Sequence, residues 1–422
     1  MKSLKININS LFLALLGFFA TWGEGMQRIL PKANLVYPAL MAVYMLLNGN
    51  SFLKRISIKK PIVPKEFKYL FLFVLFHTLI YIFFNISSIS FNTVSEVRVN
   101  DEGLIYTEES NGISILKFFV FLIFCIYLTI ALYEKRNLII FAISYIIGFV
   151  GTIFFGAYDV YGGITRVTGG VGDPNYMALD ALVALMFSLY IYYKYNYRTA
   201  KIFLVISIII ELFGIIVSFS RASYLALIVV ALLYLFRNGI VKNLLKLFIG
   251  CVVLGAVSSY AIKSLGEDTE ILISRFSIEQ MEESRGAKRG FIWEAYLSNM
   301  DTYFITGTGM RNTQVAIRNN NQGVADSYMT HNTYLQYFVE YGIVGLFLFL
   351  LYWKHFIQST RNGSDSFFLY SIGIVLMIVI FFLNCDKGRT YWIVLTIVNV
   401  VSMNSKSSNK ISYLPQHNIK KI

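Results

Sequence analysis

Charge is what this chain has least of. Only 14% of its 422 residues are Asp, Glu, Lys or Arg, against about 25% in soluble domains. An ordinary water-soluble fold is therefore excluded. Apolar residues make up 56%, and the mean hydropathy is +0.60. Alternating patterns are lacking as well. Apolar residues run continuously for about 20 positions at a time, which excludes an outer-membrane barrel and describes an all-α polytopic membrane protein. Cysteine is scarce. Cys125, Cys251 and Cys385 are scattered, and none lies in a CxxC pair, so neither a disulfide framework nor a metal site is expected. There is no P-loop, and no cofactor is expected. The net charge of +13 would suggest nucleic acid in a soluble chain. Here no basic–aromatic run resembles a nucleic-acid module, and the excess is read as cytoplasmic loops.

What is present is a series of apolar segments. About 12 spans are predicted, at 8–24, 33–48, 67–86, 114–133, 137–156, 176–194, 200–219, 221–236, 243–263, 331–353, 366–384 and 389–404. Together they make residues 1–422 a single integral membrane domain. The first two are interrupted by Trp22-Gly23-Glu24-Gly25. The amino terminus, Met1-Lys2-Ser3-Leu4-Lys5, has no small-residue cleavage site after its apolar stretch and reads as a retained span. With both termini inside, about 22 of the 37 Lys and Arg residues fall in inner segments, as the positive-inside rule requires.

Two outer loops stand out. Residues 87–113 carry Glu96, Asp101, Glu102, Glu108 and Glu109 and read as a solvated acidic loop. Residues 264–330, between the ninth and tenth spans, form a loop far longer than most connections, and such loops are usually functional or disordered. Phe291, Trp293, Tyr296, Leu297 and Met300 are spaced for a short amphipathic helix in it, so an ordered outer lid is expected.

Strong polar groups gather at the outer edge. Arg221 opens a span after Phe219-Ser220; alone, it would pair with lipid phosphates. His331 opens another, in His331-Asn332-Thr333-Tyr334-Leu335. An imidazole titrates near neutrality and can act as a base, and a helix amino terminus favours its neutral form. Arg285, Lys288 and Arg289 lie just before the amphipathic helix, where they form either a solvated charge run or a grip on phosphate. Asp173 and Pro174 suit a helix cap and first turn. Gly307-Thr308-Gly309 reads as a turn. Asp180, Glu211 and Glu340 lie within apolar spans and need partners or a water-filled cavity. The inner segments hold few acids and lack the carboxylate pair that a nucleotide-sugar transferase would use for a metal-bound diphosphate. Any donor must then come from the outside, already activated.

In these residues the chain resembles the O-antigen ligase and polymerase superfamily of bacterial envelope glycan enzymes. Four features match in order: Val171-Gly172-Asp173-Pro174-Asn175, Phe219-Ser220-Arg221, Arg289 four residues before Trp293, and His331-Asn332-Thr333-Tyr334-Leu335 leading into Glu340-Tyr341-Gly342-Ile343-Val344-Gly345. The resemblance implies a GT-C-like bundle in the bacterial inner membrane with its site facing the periplasm. It implies metal-independent, inverting glycosyl transfer from an undecaprenyl-diphosphate-linked oligosaccharide. Arg221 and Arg289 would hold the diphosphate, and His331 would be the base. Arg285, Lys288, Asp173, Asn175, Asn332, Tyr334 and Arg389 would help bind diphosphate or glycan. The acceptor is a second lipid-linked repeat unit for a polymerase, the favoured reading, or lipid A–core for a ligase. Membrane lipids, a chain-length regulator and a flippase are the other partners implied. A transporter of lipid-linked sugars is the alternative from a different class; the long outer loop and the lack of an apparent internal repeat weigh against it.

Overall fold

The computed structural model describes residues 8–27, 29–57, 62–86, 96–99, 105–108, 111–161, 164–196, 198–238, 289–317, 329–360, 367–385 and 388–412, with a few isolated positions elsewhere. The predicted ninth span, Arg285 and Lys288 lie outside the described residues.

Helices occupy the other eleven predicted segments, and one more lies in the long loop. They are α1 (Ile8–Phe19), α2 (Ala33–Ser57), α3 (Lys65–Phe84), α4 (Asn111–Leu132), α5 (Lys135–Phe155), α6 (Pro174–Lys194), α7 (Arg198–Val217), α8 (Arg221–Asn238), α9 (Arg289–Ser298, in the long loop), α10 (Thr333–Thr360), α11 (Phe367–Val379) and α12 (Arg389–Ser412). Six of these, α3 to α7 and α10, are long and apolar enough to cross a membrane; α1 and α11 are apolar but shorter. The chain is thus a polytopic helical protein of the class expected. Two hairpins were not anticipated: β1 (Glu96–Val99) with β2 (Ile105–Glu108), inside the acidic loop, and β3 (Ala157–Tyr161) with β4 (Ile164–Gly169).

The bundle is organised around α6. Its apolar window is 78% buried, against 28% for α3. An unbroken run from Met177 to Ser188 is buried, whereas α3 turns Phe76, Leu79, Ile80 and Phe83 outward, as lipid permits and water does not. α5, α7 and α11 pack on α6, and α12 packs on α4, α10 and α11. Two of the carboxylates inside the spans, Asp180 and Glu211, find partners across helices. Tyr145 and Thr390 donate to Asp180, and Ser188 donates to Glu211, so neither is left without a hydrogen bond in a low-dielectric interior.

The tenth span departs from expectation. It is two helices joined by a break at Gly342, which has φ +65°. The segment 304–309 of the long loop fills the break. The N–H groups of Thr308 and Gly309 donate to the carbonyls of Val339 and Glu340, and the Ile343 N–H donates to the carbonyl of Phe304. Backbone groups released by the break are therefore satisfied by the strap, as irregular backbone in a membrane requires. A Cβ on Gly342 would lie 2.3 Å from the Ile305 oxygen, and one on Gly307 would lie 2.3 Å from the Glu340 oxygen. The strap also touches α3, with His77 Nε2 at 2.5 Å from the Thr306 carbonyl. The predicted Gly307–Gly309 turn is its tip, with both glycines at positive φ.

The interruption at Trp22–Gly25 has a structural purpose. The Gly23 N–H donates to the Gly170 carbonyl at 2.6 Å, and a Cβ on Gly25 would lie 2.0 Å from the Gly169 oxygen. The α1–α2 connection thus seats directly on the loop that carries Asp173.

Candidate functional site

Four chain segments meet at one end of the bundle: the loop before α6, the turn before α8, helix α9, and the turn before α10. Each presents one of the polar groups anticipated from sequence.

Asp173 caps α6. Its Oδ1 accepts from the backbone N–H groups of Asn175 at 2.7 Å and Tyr176 at 3.1 Å. Pro174 follows at the first helical position, where no N–H is needed. Arg221 begins α8 after a tight turn in which Phe219 has φ +50°. That turn is held locally: Ser218 Oγ donates to Ile215 O at 2.6 Å, Ser220 N donates to Ser218 Oγ at 3.2 Å, and the Tyr224 hydroxyl donates to Ile216 O at 2.7 Å.

Arg289 is the first residue of α9, one turn before Trp293 on the same side of the helix. The Trp293 indole donates to the Thr330 carbonyl at 2.8 Å, which docks α9 beside His331. The amphipathic helix formed as expected, but its packed face differs. Ile292, Ala295 and Tyr296 are buried, while Phe291, Leu297 and Met300 are exposed. The reason lies in Trp293. Its indole finds a backbone acceptor, and its ring meets Phe381 edge-on, so the helix is rotated to suit that anchor.

His331 has φ +47°, a strained value for a non-glycine residue of the kind that persists only when its surroundings over-determine it. They do. Asn332 caps α10, its Oδ1 accepting from Leu335 N at 3.0 Å. The Asn332 N–H and the Thr330 hydroxyl both donate to Asn384 Oδ1, at 2.9 and 2.8 Å. The Tyr176 hydroxyl donates to the Asn384 carbonyl, which brings the start of α6 to the same point. Thr333 N donates to Ile380 O at 2.8 Å, and Thr333 Oγ1 to Leu383 O at 2.7 Å. Asn384 was missed by sequence reasoning. It lies in a short polar link after α11, and nothing near it in sequence signals that it serves residues more than 50 positions away.

The electrostatics tie these groups together. Burial lowers the proton affinity of Arg289, neighbouring Arg221 lowers it further, and Asp173 acts the other way. Burial likewise holds His331 below its ordinary value, reinforced by Arg289 and opposed by Asp173. Such mutual effects need charges within several ångströms. The neutral imidazole expected at His331 is therefore favoured, but chiefly by burial and a guanidinium rather than by the helix dipole. Two half-buried guanidiniums with one carboxylate near Arg289 leave a surplus of positive charge, a ready site for an anion.

Other candidates are engaged elsewhere. Arg389 donates to the Trp22 and Asn34 carbonyls and lies over the Tyr37 ring at 5.3 Å. It fastens α12 to the α1–α2 connection and is not brought into the cluster. The Tyr334 hydroxyl donates to Met377 O at 3.1 Å, and Asn332 is spent on its cap. Asn175 contributes a backbone N–H to Asp173. Glu340, about two turns into α10, accepts from Gln336 Nε2 at 2.9 Å within α10 itself. Among the described residues no three His, Cys, Asp or Glu side chains gather as a metal-ligand set.

Fold and site together define a polytopic membrane protein with a guanidinium–imidazole cluster at one mouth. Residues 202–350 match the family described as O-antigen ligase. The match runs from α7 into α10, includes Arg221, Arg289 and His331, and supports the O-antigen ligase and polymerase superfamily for this chain. No curated protein and no solved structure matches it.

Proposed function

We propose that the protein is a glycosyltransferase acting on lipid-linked glycan at the outer face of the bacterial inner membrane. It would polymerise oligosaccharide repeat units carried on undecaprenyl diphosphate. The observation that carries this reading is the convergence of Arg221, Arg289, Asp173 and His331.

The chemistry follows from their charges. Arg221 and Arg289 bind the donor diphosphate, their forks matching phosphate oxygens. Neutral His331 takes the proton from an acceptor hydroxyl as its oxygen forms a bond to the anomeric carbon. The bond from that carbon to the diphosphate oxygen breaks, and the electron pair leaves with the diphosphate. The guanidiniums stabilise the charge that grows there. A single displacement of this kind inverts the anomeric centre, and no step needs a metal. Asp173 favours the protonated forms of Arg289 and His331 and offsets part of the repulsion between the arginines. Arg285 and Lys288 would extend the anion grip along the long loop.

A second reading has the family's own description in its favour: ligation of the finished glycan to lipid A–core. One experiment separates the two. Cells lacking the protein are complemented with wild type, His331→Ala or Arg221→Ala, and surface glycan is run on a gel. A null showing core with a single repeat, restored to a ladder by wild type, means polymerase. Bare core with long chains accumulating on the lipid carrier means ligase. Full activity in both alanine variants at normal expression would refute catalysis at this site and favour transport.

A further inference from the structure

At the end of the bundle opposite the His331 cluster, a cavity of about 440 Å³ opens between the last turn of α6 and the first turns of α7. A volume of that order suits a small-molecule group. Tyr192, Asn196, Arg198 and Lys201 form its mouth, and Ile202, Val205 and Ile206 form its wall. The mouth is partly organised already. Lys201 Nζ donates to Asn196 Oδ1 at 2.7 Å and stands 5.1 Å from the centre of the Tyr192 ring, while Arg198 is exposed beside it. Among the described residues no carboxylate lines the cavity.

The wall continues in the same direction as a lipid chain would. Residues 198, 201, 202, 205 and 206 share one side of α7 by helical spacing. Ile202, Val205 and Ile206 are 57%, 44% and 53% exposed, although α7 is apolar enough to span a membrane. Two cations therefore sit at the membrane edge, directly above an open aliphatic stripe. A soluble anion would use only the first feature and a neutral lipid only the second. The distribution of Lys and Arg puts this end on the cytoplasmic side, where anionic lipid headgroups attract basic clusters.

We propose that this cavity binds the phosphate headgroup of an anionic phospholipid of the inner leaflet, with an acyl chain lying along Ile202, Val205 and Ile206. The site is remote from the His331 cluster, and its existence does not depend on the reaction proposed there.

The test is lipid retention by the purified full-length protein, read by native mass spectrometry after titration with phosphatidylglycerol or with phosphatidylcholine of the same chains. Wild type should retain phosphatidylglycerol preferentially. Arg198→Gln/Lys201→Gln should weaken that retention roughly 30-fold, since each basic group contributes roughly a five- to sixfold step. Lys65→Gln/Lys68→Gln removes two exposed cations at the start of α3 and should leave retention unchanged. Equal loss in both double variants would reduce the effect to general surface charge and overturn the site. Equal retention of the two lipids by wild type would overturn the headgroup assignment, and displacement by millimolar inorganic phosphate would make it a free-anion site instead. Arg198, Lys65 and Lys68 are exposed and Lys201 is half-buried, and glutamine at 201 keeps a donor toward Asn196, so a folding defect is not expected; matched thermal melts check this.

Discussion

The turns before α8 and before α10 solve the same problem in opposite ways. Each places a non-glycine residue in the left-handed region, Phe219 at φ +50° and His331 at φ +47°, directly ahead of a helix. Each thereby aims a functional group, Arg221 or His331, at a shared mouth. The α8 turn is built from near neighbours, with Ser218, Ser220, Ser223 and Tyr224 hydrogen-bonding among residues 214–224. The α10 turn is held from a distance, by Asn384, Leu383, Ile380 and Trp293. The arginine that binds charge can tolerate some freedom, because a guanidinium reaches its anion along a flexible stem. A base must meet one proton in one direction, and loss of alignment is costly. The heavier scaffolding lies where the chemistry is more demanding.

The largest effect expected is from the functional groups themselves. His331→Ala should lower turnover about 10²–10⁴-fold, and Arg289→Gln about 10²–10³-fold, in initial rates measured with lipid-linked oligosaccharide extracted from the deletion strain. Next comes the scaffold. Asn384→Ala removes the acceptor shared by the Asn332 N–H and the Thr330 hydroxyl, a loss of about 1–3 kcal/mol, and should cut turnover at least tenfold. Asn384→Asp keeps the acceptor and should restore most of it. Ser220→Ala, in the locally bonded turn, should change turnover less than threefold. If Ser220→Ala proves as damaging as Asn384→Ala, the contrast between the two turns fails.

The strap gives a stability prediction. Gly342→Ala and Gly307→Ala each force a Cβ to within 2.3 Å of a backbone oxygen at a positive φ. Each should destabilise by about 2–4 kcal/mol from strain and overpacking, visible as a lower melting temperature in detergent. The smallest effect concerns pH. His331 must be neutral to accept a proton, and its folded value lies below 6.5, so activity should rise on an acid limb below that pH and be level through neutrality. Asp173 raises the His331 value, so Asp173→Asn should move the limb to lower pH. Arg289 lowers it, so the residual activity of Arg289→Gln should show a limb at higher pH.

The parts of this design that were legible in sequence are those encoded locally. Apolar runs gave the helices, Asp173-Pro174 gave a cap, and Arg289 and Trp293 four residues apart gave one helix side. What was not legible depends on partners far along the chain. A continuous apolar segment concealed the break in α10, because the strap that makes Gly342 tolerable comes from residues 304–309. Arg389 looked like a phosphate ligand because its carbonyl partners, Trp22 and Asn34, lie more than 350 positions away. Asn384, the last residue of the predicted span 366–384, carried no local signal for the same reason. Trp22–Gly25 looked like a defect in the first spans, since its meaning rests on the approach of Gly169 and Gly170.

The central claim is a division of labour, with arginines for the diphosphate and His331 for the proton. Its most direct test is the affinity of the purified protein for undecaprenyl diphosphate, measured for wild type, Arg221→Gln, Arg289→Gln and His331→Ala. Each arginine variant should bind at least tenfold more weakly, while His331→Ala binds as wild type and fails only to turn over. Wild-type affinity in both arginine variants, or a loss of affinity in His331→Ala as large as theirs, would contradict it.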